Sequence, residues 1–138
     1  MKSFLSKFKK INKSILFFYL FLILSGKNLF ALSFWDNLPS EELADKIVNE
    51  MTNEELLSQT FMFGWAGAEP SELLYQWVDS GLGSVKVFGW NTDDIYLVAK
   101  SVAALQKRAN KNRFQIPLFV ATDQEGGWIR HVKGDTAI

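Results

Sequence analysis

Three short apolar runs, Gln59–Gly64, Ser84–Phe88 and Pro117–Ala121, are separated by two stretches whose apolar residues recur at helical spacing. This alternation restricts the chain more than any other feature. Strand, helix, strand, helix, strand is the order of a parallel sheet with right-handed crossovers. In the first crossover Ser71 stands at a capping position, Leu73, Leu74, Trp77 and Val78 form one apolar stripe, and Gly81 and Gly83 close the helix. The second begins at Thr92 or Asp93, places Ile95, Val98, Val102 and Leu105 on one face, and ends in the polar, basic stretch 106–113. Pro117–Ala121 is almost wholly apolar, as strands covered on both faces are. The run 59–64 is rich in β-formers but short enough to be confused with a helix end.

Two further helices are expected upstream. Residues 39–51 carry acids in their first turn, where the helix dipole favours them, and apolar Leu43, Ala44, Ile47 and Val48 behind. Thr52-Asn53-Glu54-Glu55 has capping-box spacing, in which the Thr52 hydroxyl accepts from the third amide while Glu55 reaches back to the first.

The N-terminus is of another kind. Five lysines within residues 2–13 precede an uninterrupted apolar run of ten, residues 15–24. At 1.5 Å per residue that run spans roughly 15 Å, about half of a bilayer core of about 30 Å. Residues 1–31 are therefore expected to be a signal peptide, cleaved near Ala31 or Ser33, with a retained membrane anchor over 15–24 as the alternative. Both imply that the N-terminal segment engages the export machinery or the membrane and that 32–138 is exported, to the periplasm or the extracellular space.

From Leu32 onward, nine basic residues stand against fifteen acidic ones, a formal charge of −6. Such a body repels phosphate backbones, so no nucleic-acid partner is expected. The absence of cysteine excludes a disulfide framework, a thiolate nucleophile, a Cys-based metal site and a lipid-bearing N-terminal Cys. With one histidine and scattered carboxylates, neither a metal nor a cofactor is expected.

In βα-type folds functional side chains stand at the C-terminal ends of strands. Those positions here are Trp65, Trp90-Asn91 and the run Asp123-Gln124-Glu125-Gly126-Gly127-Trp128. An acid directly after an apolar strand and before two glycines implies a carboxylate held at a rim while the backbone turns sharply away. The bland alternative is a Gly-Gly turn with solvated acids, and local physics does not separate the two. Trp65, Trp90 and Trp128 would gather three indoles on one rim, suited either to stacking on sugar rings or to packing.

Residues 121–127 (A-T-D-Q-E-G-G) resemble the D-Q-E-G-G signature of family 3 glycoside hydrolases, particularly the bacterial β-N-acetylhexosaminidase branch. Two weaker matches precede it in order. Met51–Leu56 with Gln59 resembles the M-T-x-E-E-K-x-x-Q opening of that domain, and Gly81–Val85 with Phe88 and Asn91 resembles its G-x-G-G-x-x-x-F-x-x-N strand. Together they span residues 51–131, about three-fifths of the chain. The resemblance implies an α/β fold, the N-terminal portion, about three strands, of an incomplete TIM-type barrel within 32–138. A whole barrel takes about 250 residues.

It further implies that Asp123 binds hydroxyls of the sugar nearest the scissile bond, through charge-assisted hydrogen bonds, while Gln124 and Glu125 orient the loop. The family often continues G-G-R-V-x-R. Here Gly127 is followed by Trp128, Ile129, Arg130 and His131, so Arg130 stands one place early and His131 takes the usual arginine position. Either faces the ligand or lies on the surface. The family's aspartate nucleophile and the His–Asp acid/base of this branch belong to later segments, so no catalytic residue is expected before Ile138.

The expected parent is thus an exported retaining hydrolase of β-linked N-acetylglucosaminides such as cell-wall fragments, with β-glucosides second, and this chain alone is expected to be inactive. The alternative is an exported carbohydrate-binding or interaction protein without catalysis. In either case the expected ligand is a small carbohydrate, held by Asp123 with contributions from Arg130, His131, Trp90, Trp128 and Trp65.

Overall fold

The computed structural model describes residues 32–132. The chain divides between Ala31 and Leu32, and the described residues belong to the second unit. The expected signal peptide or anchor, 1–31, lies outside them. Among the described residues no helix is long and apolar enough to cross a membrane.

Helix α1 (Ser40–Glu50) places Glu41 and Glu42 in its first turn and buries Leu43 and Ile47, one turn apart, against Phe114. Helix α2 (Asn53–Gln59) follows through the expected capping box: Glu55 N donates to Thr52 Oγ1 at 3.2 Å and Thr52 N to Glu55 Oε2 at 2.8 Å. Strand β1 (Met62–Gly64) leads to helix α3 (Glu72–Asp79), whose cap Ser71 accepts from Leu74 N. The apolar stripe of α3 is narrower than its sequence suggests. Leu74 and Val78 are buried, whereas Leu73 and Trp77 stay exposed.

Strand β2 (Ser84–Val87) runs into a single 3-10 turn (Gly89–Asn91) and then helix α4 (Ile95–Ala109). Asp94 caps α4 by accepting from Tyr96 N and Leu97 N. Thr92 does not, because its hydroxyl is bonded to the carbonyls of Gly89 and His131. Strand β3 (Phe119–Thr122), a short strand β4 (Gln124–Gly126) and its antiparallel partner β5 (Ile129–Arg130) complete the described chain.

The sheet is parallel, in the order β1-β2-β3, with Phe63, Val85 and Val120 in one row and Gly64, Lys86 and Ala121 in the next. Side chains alternate across it. Val85 and Val87 point toward α3 and α4 and meet Leu74, Val78, Val98 and Leu105 in the main core. Ser84 and Lys86 point the other way and are only part-buried.

This architecture corrects the expectation of a portion of a TIM-type barrel. The described chain is a small α/β domain around an open three-stranded sheet whose outer strands each have one neighbour. Within the described residues β3 is followed by a hairpin and not by another crossover helix. Gly126 and Gly127, at φ +86° and +55°, reverse the chain into the β4–β5 hairpin, a backbone path that side-chain-bearing residues rarely follow. The reading of β3 as a strand covered on both faces is corrected as well, since Phe119 is 68% and Val120 38% exposed.

Candidate functional site

The C-terminal ends of β2 and β3 and the end of the β4–β5 hairpin meet around one aromatic ring. Register pairs Lys86 with Ala121 and Val87 with Thr122, so Asp123 emerges beside the end of β2. Lys86 Nζ approaches Asp123 Oδ2 to 2.9 Å. On the other side His131 Nδ1 stands 4.0 Å from the same oxygen, while its backbone N donates to Asp123 O at 3.1 Å. The Phe88 ring neighbours both groups, 5.1 Å from the Lys86 ammonium and 5.8 Å from the imidazole.

Trp90 stacks on Phe88, with centroids 4.5 Å apart and planes 17° from parallel. Its indole is fixed by a bond from Nε1 to Trp65 O, 2.9 Å, yet Trp90 remains 57% exposed. Asn91 makes this corner rigid. Its side chain is fully buried, accepts from Phe88 N at 2.8 Å and donates to the carbonyls of Trp65 and Gly67. Gly64 is needed beside it, because a Cβ there would collide with the Phe88 ring.

The Asp123 carboxyl is held below the usual aspartate range. The hydrogen bond from the Lys86 ammonium is the main cause, aided by attraction to Lys86 and His131 and opposed by desolvation. It is therefore an acceptor only at neutral pH. Among the described residues Oδ1 has no hydrogen-bond partner, and neither does the buried His131 Nδ1. Asp123 is also the one carboxylate in ion-pair range of Lys86 or His131 among those residues.

Of the residues singled out from sequence, the fold brings Asp123, His131 and Trp90 together. Trp65 contributes its carbonyl, while its indole is buried in the main core with Nε1 unpartnered among the described residues. Trp128 lies fully exposed at the hairpin turn, and Arg130 is exposed on β5. The three indoles thus do not share one rim. Gln124 holds the loop by exchanging bonds with Val132 N and O, both 3.1 Å. Glu125 is exposed.

Lys86 and Phe88 were missed. The available signal was a lysine between two valines, which in an alternating strand must stand on the face opposite the core. Among the described residues no group of three or more acidic, His or Cys side chains is arranged to hold a metal.

No family model matches the sequence, and no curated protein matches it. Solved structures do. One, described as "A unique GCN5-related glucosamine N-acetyltransferase region exist in the fungal multi-domain GH3 beta-N-acetylglucosaminidase", is 31% identical with a TM-score of 0.54 over 58% of this chain and 10% of its own. Another, a glycoside hydrolase family 3 β-N-acetylglucosaminidase from Paenibacillus sp. str. FPU-7, is 28% identical with a TM-score of 0.55 over 61% of this chain and 16% of its own. The chain thus spans only about a tenth to a sixth of these proteins, so the likeness concerns one region and not their whole architecture. Over about three-fifths of its length, this chain is similar to chains of β-N-acetylglucosaminidases.

Proposed function

We propose that this chain carries a carbohydrate-binding site related to family 3 glycoside hydrolases, with β-linked N-acetylglucosaminides as its ligands. The observation that carries the reading is the ionised Asp123 carboxylate, whose Oδ1 has no partner among the described residues, in a cluster whose Phe88 ring touches Lys86 on one hand and stacks with the exposed Trp90 on the other. A carboxylate accepts charge-assisted hydrogen bonds from sugar hydroxyls. The indole offers a flat apolar face to the ring, and its pinned orientation lowers the entropy lost on binding. The similarity to β-N-acetylglucosaminidases supports the choice of sugar. An exported location, expected from residues 1–31, belongs to the same proposal.

The part these residues play is binding and not bond cleavage. Among the described residues one carboxylate, Asp123, contacts this cluster, whereas the two-carboxyl form of retaining hydrolysis requires a pair about 5–5.5 Å apart, and the nucleophile and acid/base that the resemblance implies belong to later segments. The test is calorimetric titration of the 138-residue chain with N,N′-diacetylchitobiose. Saturable binding is expected, reduced at least tenfold in Asp123→Ala and more weakly in Trp90→Ala, without release of p-nitrophenol from p-nitrophenyl N-acetyl-β-glucosaminide. Equal titration curves for the parent chain and Asp123→Ala would refute the reading.

A further inference from the structure

Nothing in the packing of β2 asks for a lysine at position 86. Val85 and Val87 fill the core, whereas the Lys86 side chain is on the uncovered face and 29% exposed. A lysine without a task at such a place extends into water, because ordering its long side chain costs rotamer freedom. Here the ammonium is instead folded against Asp123 Oδ2 at 2.9 Å and over the Phe88 ring at 5.1 Å. Those contacts occupy at most two of its three N–H donors. Among the described residues Nζ makes no further ion pair or hydrogen bond, and Asp123 Oδ1 is without a partner alongside it.

We infer that Lys86 is a ligand-binding and positioning residue: it aims the Asp123 carboxylate and presents a donor beside that carboxylate's open oxygen, so the pair reads two neighbouring hydroxyls of a sugar. The inference deepens the proposed function and rests on it. A hydroxyl both donates and accepts, so one donates to Oδ1 while its neighbour accepts from Nζ. A carboxylate alone would demand two donors. The pair demands one donor and one acceptor, and therefore discriminates against a ring lacking either oxygen.

Two consequences separate this role from a mere tie between β2 and the end of β3. Removing the lysine should weaken sugar binding. It should also raise the pH at which binding is lost on acidification, because the hydrogen bond and charge that hold Asp123 ionised are gone. Among the described residues the groups facing Asp123 are Lys86 from β2 and His131 from the end of the hairpin. His131 is common to all the variants below, so differences between their pH profiles isolate the lysine.

The experiment is calorimetric titration of the 138-residue chain with N-acetylglucosamine, from neutral pH downward. Lys86→Met, Lys86→Arg, Lys86→Gln and Asp123→Ala are compared, with folding checked by circular dichroism. Lys86→Met should bind about tenfold more weakly, roughly 1.4 kcal/mol, with its acid midpoint shifted upward. Lys86→Arg should restore the midpoint and part of the affinity. Should Lys86→Met fail to fold, Lys86→Gln, which keeps a donor without the charge, carries the test through a raised midpoint. Loss of binding in Asp123→Ala together with unaltered affinity and midpoint in the folded Lys86 variants would overturn the inference alone. Full binding by Asp123→Ala would overturn the proposed function, and the inference with it.

Discussion

The two sides of the parallel sheet each lead to an aspartate held by a basic side chain, and the two pairs are built differently. On the helix side, Arg108 of α4 grips Asp79 at the end of α3, with Nε 2.7 and 2.9 Å from the two carboxylate oxygens and Nη2 2.7 Å from one. Both oxygens are engaged. On the uncovered side, Lys86 meets one oxygen of Asp123 and leaves the other without a partner among the described residues. A saturated pair fastens two helices together, whereas a half-satisfied one keeps hydrogen-bonding capacity for a ligand. The contrast extends to the surroundings: the helix that ends at Asp79 buries Leu74 and Val78 in the apolar core, whereas Asp123 neighbours the part-buried His131 in a cluster whose Phe88 ring carries the exposed Trp90.

The largest effect belongs to the helix side. Leu105 of α4 is fully buried among Val78, Val85 and their neighbours. Leu105→Ala should lower unfolding stability by about 3 kcal/mol, the middle of the range for such cavities, as measured by urea denaturation. Loss below about 1 kcal/mol would mean that this core is loosely packed and that the contrast between the two sides is smaller than drawn. The next effect lies where the sides join. Asn91→Ala leaves Phe88 N and the carbonyls of Trp65 and Gly67 without their buried partner, at a cost of about 2 kcal/mol. Because the same side chain fixes the corner carrying Trp90, tryptophan fluorescence should change in the folded variant too. An unchanged emission spectrum would separate the corner from the site.

A smaller effect is expected at Thr52, whose capping box starts α2 away from both regions. Thr52→Ala should cost about 1 kcal/mol and leave sugar titration untouched. A change in sugar affinity would show that the site depends on more of the molecule than its corner.

Much of the fold was legible because its signals are local. Ser71 and Thr52 cap the helices that their spacing announces, and the alternation of three strands with two crossovers gives the parallel order. The continuation was not legible. That Gly126 and Gly127 return the chain into a hairpin depends on pairing between β4 and β5, and the family resemblance suggested a barrel instead. The site divides in the same way. Asp123 was found by its place after a strand and before two glycines. Lys86 was passed over because its partner lies far along the chain, and only the β2–β3 register brings the two together. Trp65 illustrates the opposite failure. Its position after β1 suggested a rim, but the indole turns into the core and leaves only its carbonyl at the corner.

The smallest expected effect tests whether the saturated pair is as purely structural as its geometry implies. Asp79 is held below the ordinary aspartate range by hydrogen bonds from Arg108, with attraction to Arg108 and Lys111 added and desolvation opposing. Because its folded-state pKa is depressed, the pair contributes stability fully above the ordinary aspartate value. That contribution is lost as pH falls through the depressed one. Both side chains are more than a third exposed, so solvent screens the pair and the contribution is modest. Asp79→Asn should therefore melt slightly earlier than the parent chain at neutral pH, and the difference should close on acidification. It should also shrink with added salt. Sugar titration should not distinguish the two proteins at any pH where both are folded. If Asp79→Asn moved the acid midpoint of binding as Lys86→Met is expected to, the two aspartates would be coupled through the sheet, and the division between a fastening side and a binding side would fail.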